Sequence, residues 1–282
     1  MGSLHGRKHA ATRFVDTLPP PTKSVEVKVV VLSPSRSATL ATYRALKVLG
    51  YKTYHNYESI YNGLRDMKLF NESMRAKFHG EFEVYRRPEF EKWFQGYDAL
   101  TELPSYFPEE IVEAYPRAKY ILVERTPESW ARSVMNSIVR MTEDVNRFPT
   151  SFLKQFDDAM YQLCSSAYIT AERFSDGKFG RPGGLEACAD CVALVKKIVP
   201  PEQLLVVRLE DGLDWDAICP FLQMPVPDEP FPPPFTPEVF KETVEEFMMP
   251  QVKRAVRNAA ALILSPIVVL VGAVWWASDG VR

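Results

Sequence analysis

The sequence predicts an α/β fold, a parallel sheet with helices on both faces, followed by a C-terminal membrane helix. Three observations lead there. VEVKVVVL at 25–32, YILV at 120–123 and LLVV at 204–207 are short apolar runs, the first rich in β-branched residues, as strands covered on both faces require. The runs pass through polar turns toward helical patterns, and repeated strand–turn–helix alternation implies parallel pairing. Finally, residues 259–277, AAALILSPIVVLVGAVWWA, contain no charged residue.

Taken in chain order, residues 1–24 lack an apolar run and carry Pro19-Pro20-Pro21, so they are expected to be a flexible leader and not a secretory signal. The α/β domain is expected over 25–237. Its first strand, 25–32, leads into a helix over 39–49 that Gly50 would cap. The second run leads into Glu124-Arg125-Thr126-Pro127, with Thr126 as N-cap and Pro127 at the first helical position. The third leads into Arg208-Leu209-Glu210-Asp211. Residues 225–237, PVPDEPFPPPFTP, are too proline-rich for a packed element and read as an extended arm closing the domain. A connector helix over 238–258, rich in Glu and Met and basic at its end, would hand over to 259–277. As a helix that last segment reaches roughly 28 Å, close to the hydrocarbon thickness of a bilayer. Lys253, Arg254 and Arg257 precede it, and Trp275 and Trp276 lie near its far end. These flanks suit a single span with the main domain in the cytosol; the alternative is a buried C-terminal core helix.

Composition narrows the function. Thirty-four Lys and Arg against thirty-six Asp and Glu leave a formal charge of −2, so no global positive field recruits nucleic acid, and any anion site must be local. Four cysteines are too few for a disulfide scaffold. Cys188-x-x-Cys191 lacks a second cysteine or histidine pair to complete a metal site, and it lies in an amphipathic helical pattern. No metal is expected. No Gly-x-Gly-x-x-Gly follows any strand, which disfavours a dinucleotide oxidoreductase.

Two junctions carry the candidate chemistry. In Ser33-Pro34-Ser35-Arg36-Ser37-Ala38-Thr39 the chain leaves a strand and begins a helix within a few residues. Free N–H groups there, with the helix dipole, create a local positive potential. Arg36 adds a planar cation, and the hydroxyls add donors. A phosphate cradle and a surface turn capped by Ser37 both satisfy this pattern, and a Walker loop is excluded. In VERTPESWARSV, Arg125 leaves the second apolar run and Ser133 lies two turns up the next helix. The pair could converge on a second phosphate, or serve only as cap and surface ion pair.

Strand-PxRxxT-helix followed by strand-ER-x-P-x-x-W-x-x-S resembles the P-loop sulfotransferase superfamily, and more narrowly the fungal sulfotransferase-like family whose loop reads PRTGTTS. Residues 96–125 are similar to that family's central segment, and 212–232, GLDWDAICPFLQMPVPDEPFP, to its closing motif. A C-terminal hydrophobic helix is also found in many fungal members. The resemblance implies a Rossmann-like sheet that binds 3′-phosphoadenosine 5′-phosphosulfate (PAPS) and transfers its sulfonyl group to a hydroxyl or amine. It implies that Arg36, Ser37, Ala38, Thr39 and Leu40 face the phosphosulfate, and that Arg125 and Ser133 face the 3′-phosphate.

Ala38 replaces the loop glycine of that pattern and Leu40 its second threonine. If the glycine serves a positive φ, alanine costs about 1–2 kcal/mol; if it serves close approach, a methyl group intrudes on the ligand. Leu40 removes a donor to a charged group, roughly 1.5–3 kcal/mol. The general base is expected to be His55, with Glu102, at the end of an expected strand in ALTELP, as the carboxylate alternative. Aromatic residues are dense between 51 and 107; most should be core, and a few could line an apolar acceptor pocket. The function expected is a membrane-anchored sulfotransferase-like enzyme acting on a lipophilic small molecule in specialised metabolite biosynthesis. Two alternatives stay open: a cofactor-independent cyclisation, rearrangement or dehydration on the same fold, and a non-catalytic tethered scaffold.

Overall fold

The computed structural model describes residues 12–22, 25–175, 184–233 and 237–279. Five parallel strands form one sheet: β1 (Val29–Val31), β2 (Thr53–Tyr54), β3 (Ala99–Thr101), β4 (Lys119–Glu124) and β5 (Leu204–Arg208), in the order β2-β3-β1-β4-β5. Three of them fall where the apolar runs lie. Of the other two, β3 is the short strand expected before Glu102, and β2, two residues long, carries no run a sequence pattern could detect. Register places Val30 beside Leu100 of β3 and Tyr120 of β4.

The near-continuous apolar character of β1 has a direct cause. Val30 and Leu32 enter one core, with Leu100, Tyr120 and Leu122, while Val29 and Val31 enter another, with Ala99, Ile121 and Val123. Successive side chains point to opposite faces, and both faces are covered. On the first face pack α3 (Leu64–Met74), α4 (Arg87–Trp93), α5 (Pro108–Ala114) and parts of α9 (Asp158–Ser175) and α10 (Gly184–Ile198). On the second pack α1 (Thr39–Val48) and α11 (Trp215–Leu222). Between these lie α2 (Asn56–Tyr61), α6 (Pro127–Val134), α7 (Arg140–Val145) and α8 (Thr150–Leu153). Gly50 closes α1 at φ +90°, with its amide on the carbonyl of Lys47 at 3.0 Å.

Part of the expected leader belongs to the domain. Residues 14–17 form a 3₁₀ turn, and Val15 is fully buried. The buried carboxylate of Glu72 accepts the amides of Phe14 and Val15, the latter at 3.0 Å, and the Tyr85 hydroxyl at 2.6 Å. Residues 1–11 lie outside the described residues. The proline-rich arm folds back on α11, where Trp215 Nε1 donates to the carbonyl of Glu229 at 2.8 Å and Phe231 packs edge-on at 4.9 Å.

The chain ends in one helix, α12 (Pro237–Asp279). Its first half is docked. Arg254 Nε meets Asp157 Oδ2 at 2.9 Å, Asn258 Nδ2 donates to the carbonyl of Phe156 at 2.8 Å, and Ala255 is fully buried. Arg254, expected as part of a basic membrane flank, is therefore spent on a contact within the fold. The membrane segment expected over 259–277 falls largely on side chains outside the described residues. Among the described residues no helix is long and apolar enough to cross a membrane.

Candidate functional site

A parallel sheet sends every strand's carboxyl end to the same edge, and the strand order reverses on either side of β1. Ligands in such sheets bind outside that edge at the reversal point. His55 follows β2, Glu102 follows β3, Arg36 lies in the loop after β1 and Arg125 follows β4. Four separate segments thus deliver their polar residues to one place.

The loop after β1 is fastened to the junction after β4. Arg36 Nε donates to Ser133 Oγ at 3.3 Å, Arg125 Nη1 donates to the backbone carbonyl of Arg36 at 2.8 Å, and Trp130 Nε1 donates to the carbonyl of Ser35 at 2.8 Å. Arg125 Nε also reaches Ser129 Oγ at 2.9 Å. The loop after β1 is therefore not an isolated surface turn: it is hydrogen-bonded to the junction after β4.

The loop bends through left-handed backbone. Arg36 has φ +72° and Ala38 φ +56°, so the family's loop glycine is replaced at a position whose backbone does need positive φ. Ala38, and not Ser37, occupies the cap position of α1, and no side chain caps the helix. Ser37 is 1 % exposed and its Oγ has no hydrogen-bond partner among the described residues. Thr39 and Leu40 are buried in the first turn of α1, and both line the adjoining cavity. Leu40 contributes apolar wall where the family pattern has a donor.

Glu102 sits at the centre. Its φ of +63° is a third strained value; of the four non-glycine residues with positive φ among the described residues, three are here. Such strain persists only where surrounding contacts over-determine it. Oε1 accepts from Ser35 Oγ at 2.9 Å, and Ser35 Oγ is also 3.0 Å from the Tyr106 hydroxyl. Oε2 lies 3.0 Å from His55 Nε2, a close polar contact whose alignment falls short of a hydrogen bond, so that Nε2 is buried without an aligned partner. The other ring nitrogen, Nδ1, accepts the Tyr57 amide at 3.1 Å and caps α2. That bond assigns the ring proton to Nε2, facing Glu102. Burial would raise the Glu102 pKa, but His55, the Ser35 hydroxyl and Arg36 outweigh it and hold the carboxyl below its ordinary range. Burial lowers the Arg36 pKa, with Glu102 opposing and Arg125 adding to the effect.

These groups form the polar end of a cavity of ≈ 140 Å³. The remainder is mostly apolar, with Met67, Phe70, Leu103, Ile138, Met141 and Leu163 among its walls. Of the aromatic residues expected between 51 and 107, Tyr54, Tyr85, Trp93, Phe94 and Phe107 are core, Tyr106 is core and also lines the cavity, and Tyr57 lines the cavity.

Of the site residues expected from the sequence, Arg36, Thr39, Leu40, His55 and Glu102 line the cavity, Arg125 and Ser133 are hydrogen-bonded to Arg36, Ser37 is buried in the loop, and Ala38 packs against the core on the second face of the sheet. Tyr57 and Tyr106 were legible only as members of an aromatic-rich region. Trp130 was legible only as the tryptophan of the second motif, and three residues of α12, Thr243, Phe247 and Met248, were not foreseen. One signal for α12 exists: Phe247, Gln251, Ala255 and Ala259 recur every four residues, and all are buried. Cys191 lies on α10, and its Sγ is 3.9 Å from the carbonyl of Ser105. Among the described residues no group of His, Cys, Asp or Glu is arranged to hold a metal.

Fold and site together define a parallel α/β protein with two arginines, a buried unpartnered hydroxyl and a carboxylate at the switch point of its sheet. Residues 28–237 match the family described as sulfotransferase domain, and the chain belongs to that family. It is 31% identical over 210 residues to "Ava biosynthesis cluster protein M" of Aspergillus versicolor, a match covering 73% of this chain and 80% of that protein. A solved sulfotransferase from Alicyclobacillus acidocaldarius aligns over 85% of this chain and 96% of its own, at 14% identity and TM-score 0.40.

Proposed function

We propose that the protein transfers a sulfonyl group from PAPS to a hydroxyl or amine of a lipophilic small molecule in specialised metabolite biosynthesis. The observation that carries this reading is the Arg36–Arg125–Ser133 junction, with Ser37 Oγ buried and unpartnered beside it. Two neighbouring guanidinium groups repel each other, and an anion relieves that repulsion. The residues present fit a nucleotide anion, although Leu40 offers it no donor.

PAPS would supply an activated sulfonyl group and leave as adenosine 3′,5′-bisphosphate. Arg36 and the hydroxyls of Ser37 and Thr39 would hold its phosphosulfate end, and Arg125 and Ser133 its 3′-phosphate. Glu102, ionised and fixed by Ser35 and His55, would take the acceptor's proton. His55 acts as a positioning residue, because Nδ1 is occupied by the Tyr57 amide and Nε2 carries its proton toward Glu102. The apolar walls would exclude water and hold the acceptor's body. The biosynthetic setting is supported by the name of the Aspergillus versicolor relative.

Calorimetric titration with adenosine 3′,5′-bisphosphate tests the reading, with micromolar binding as the expected result. Absence of binding at millimolar ligand would remove nucleotide-dependent transfer. The charge-free stretch 259–277 would tether the enzyme to a membrane. Leu262, Ile263, Leu264 and Leu270 are each more than half exposed, which supports that role. The full chain should co-sediment with phosphatidylcholine vesicles, and a chain ending at 258 should stay in the supernatant.

A further inference from the structure

One wall of the cavity comes from none of the strand-to-helix junctions. Thr243, Phe247 and Met248 of α12 close it. Phe247 is 8 % exposed and packs edge-on against Tyr57 at 5.3 Å and Tyr61 at 5.1 Å. The Tyr57 hydroxyl donates to Thr243 Oγ1 at 3.1 Å. From Tyr57 a line of contacts continues inward: its amide holds His55 Nδ1, and His55 Nε2 faces Glu102. The helix making these contacts is anchored by Arg254 on Asp157 and by Asn258 on the carbonyl of Phe156. Its side chains therefore meet the cavity at set positions.

We propose that Thr243, Phe247 and Met248 of α12 determine acceptor specificity: Phe247 and Met248 shape the cavity for an apolar ring system bearing a hydroxyl, and Thr243 positions Tyr57 and, through it, the His55–Glu102 pair. The proposal rests on the cavity being the acceptor end of the site. Phenylalanine presents a flat face to a ring, and the methionine thioether adapts to its edge. The polar end where Ser35 and Glu102 lie would receive the hydroxyl.

The probe is 2-naphthol, titrated calorimetrically into the full chain, with adenosine 3′,5′-bisphosphate titrated separately. Wild-type protein should bind 2-naphthol. Phe247→Ala should weaken that binding about tenfold, the scale of one lost aromatic contact. Met248→Trp should abolish it by filling the cavity, and both variants should bind the bisphosphate as wild type does. Equal 2-naphthol affinity in all three proteins, or none in wild type, overturns the proposal. Loss of bisphosphate binding in wild type alone would count against nucleotide use and leave the 2-naphthol comparison to decide this inference. For Thr243, the ¹⁵N resonances of the His55 ring are the readout. Thr243→Val should move them and Thr243→Ser should restore them; unchanged resonances in Thr243→Val overturn the positioning role.

Discussion

Arg125 donates a 2.8 Å hydrogen bond to the backbone carbonyl of Arg36, 89 residues earlier in the chain. The bond holds the loop after β1 in its left-handed course and brings two cations to one face of the site. It also joins the two junctions that a single bridging nucleotide would have to span.

Replacing either arginine should therefore weaken nucleotide binding. Arg36→Ala removes charge-assisted hydrogen bonds worth roughly 1.5–3 kcal/mol, about ten- to a hundredfold in affinity for adenosine 3′,5′-bisphosphate. Arg125→Lys keeps the charge but loses the planar fork that serves both Ser129 and the loop carbonyl, so it should also bind less tightly. Calorimetric titration measures both.

Glu102 makes acidity a probe of the site. Its carboxyl is held below the ordinary range in the fold. The ionised form is thus favoured by folding, and its contribution to stability is fully present above the unfolded value of about 4.3. That contribution is lost as pH falls through the lower folded value. Glu102→Gln should flatten this acid limb when melting temperature is followed against pH. It should also abolish transfer activity at neutral pH, measured by mass spectrometry of the sulfonated product.

The departures in the loop should be separable. Ala38→Gly relieves a left-handed alanine and should stabilise the fold by about 1 kcal/mol, a rise of about 2–4 °C in melting temperature. Leu40→Thr supplies a donor but removes buried apolar surface, so it should lower stability by about 1–2 kcal/mol while tightening bisphosphate binding. Calorimetry for binding and thermal unfolding for stability would show the two effects with opposite signs.

Glu72 offers a test remote from chemistry. Glu72→Ala strips the partner from the Phe14 and Val15 amides and from the Tyr85 hydroxyl, all inside the fold. The cost should be roughly 2–4 kcal/mol in urea unfolding, while bisphosphate affinity per folded molecule stays unchanged.

The apolar runs at β1, β4 and β5 made the sheet legible because strands buried on both faces must be apolar throughout. The short β2 offered no such run, and β3 was legible only as the brief stretch before Glu102. Ala38 and Leu40 could be read as departures, but which of glycine's two uses Ala38 had replaced awaited its φ. His55 and Glu102 were legible as rival bases because each has suitable chemistry alone; that the two lie 3.0 Å apart was visible only in the fold. The leader misled because residues 14–17 have little apolar pattern, and their docking depends on Glu72, more than fifty residues away.

By itself the sequence determined the class of fold, the two strand-to-helix junctions and the family, since these rest on local periodicity and short motifs. Only the tertiary structure decided that the junctions are hydrogen-bonded to each other, that His55 faces Glu102, and that α12 forms a wall of the cavity. Such juxtapositions depend on strand order and helix docking. They are long-range relations that no local pattern of residues encodes.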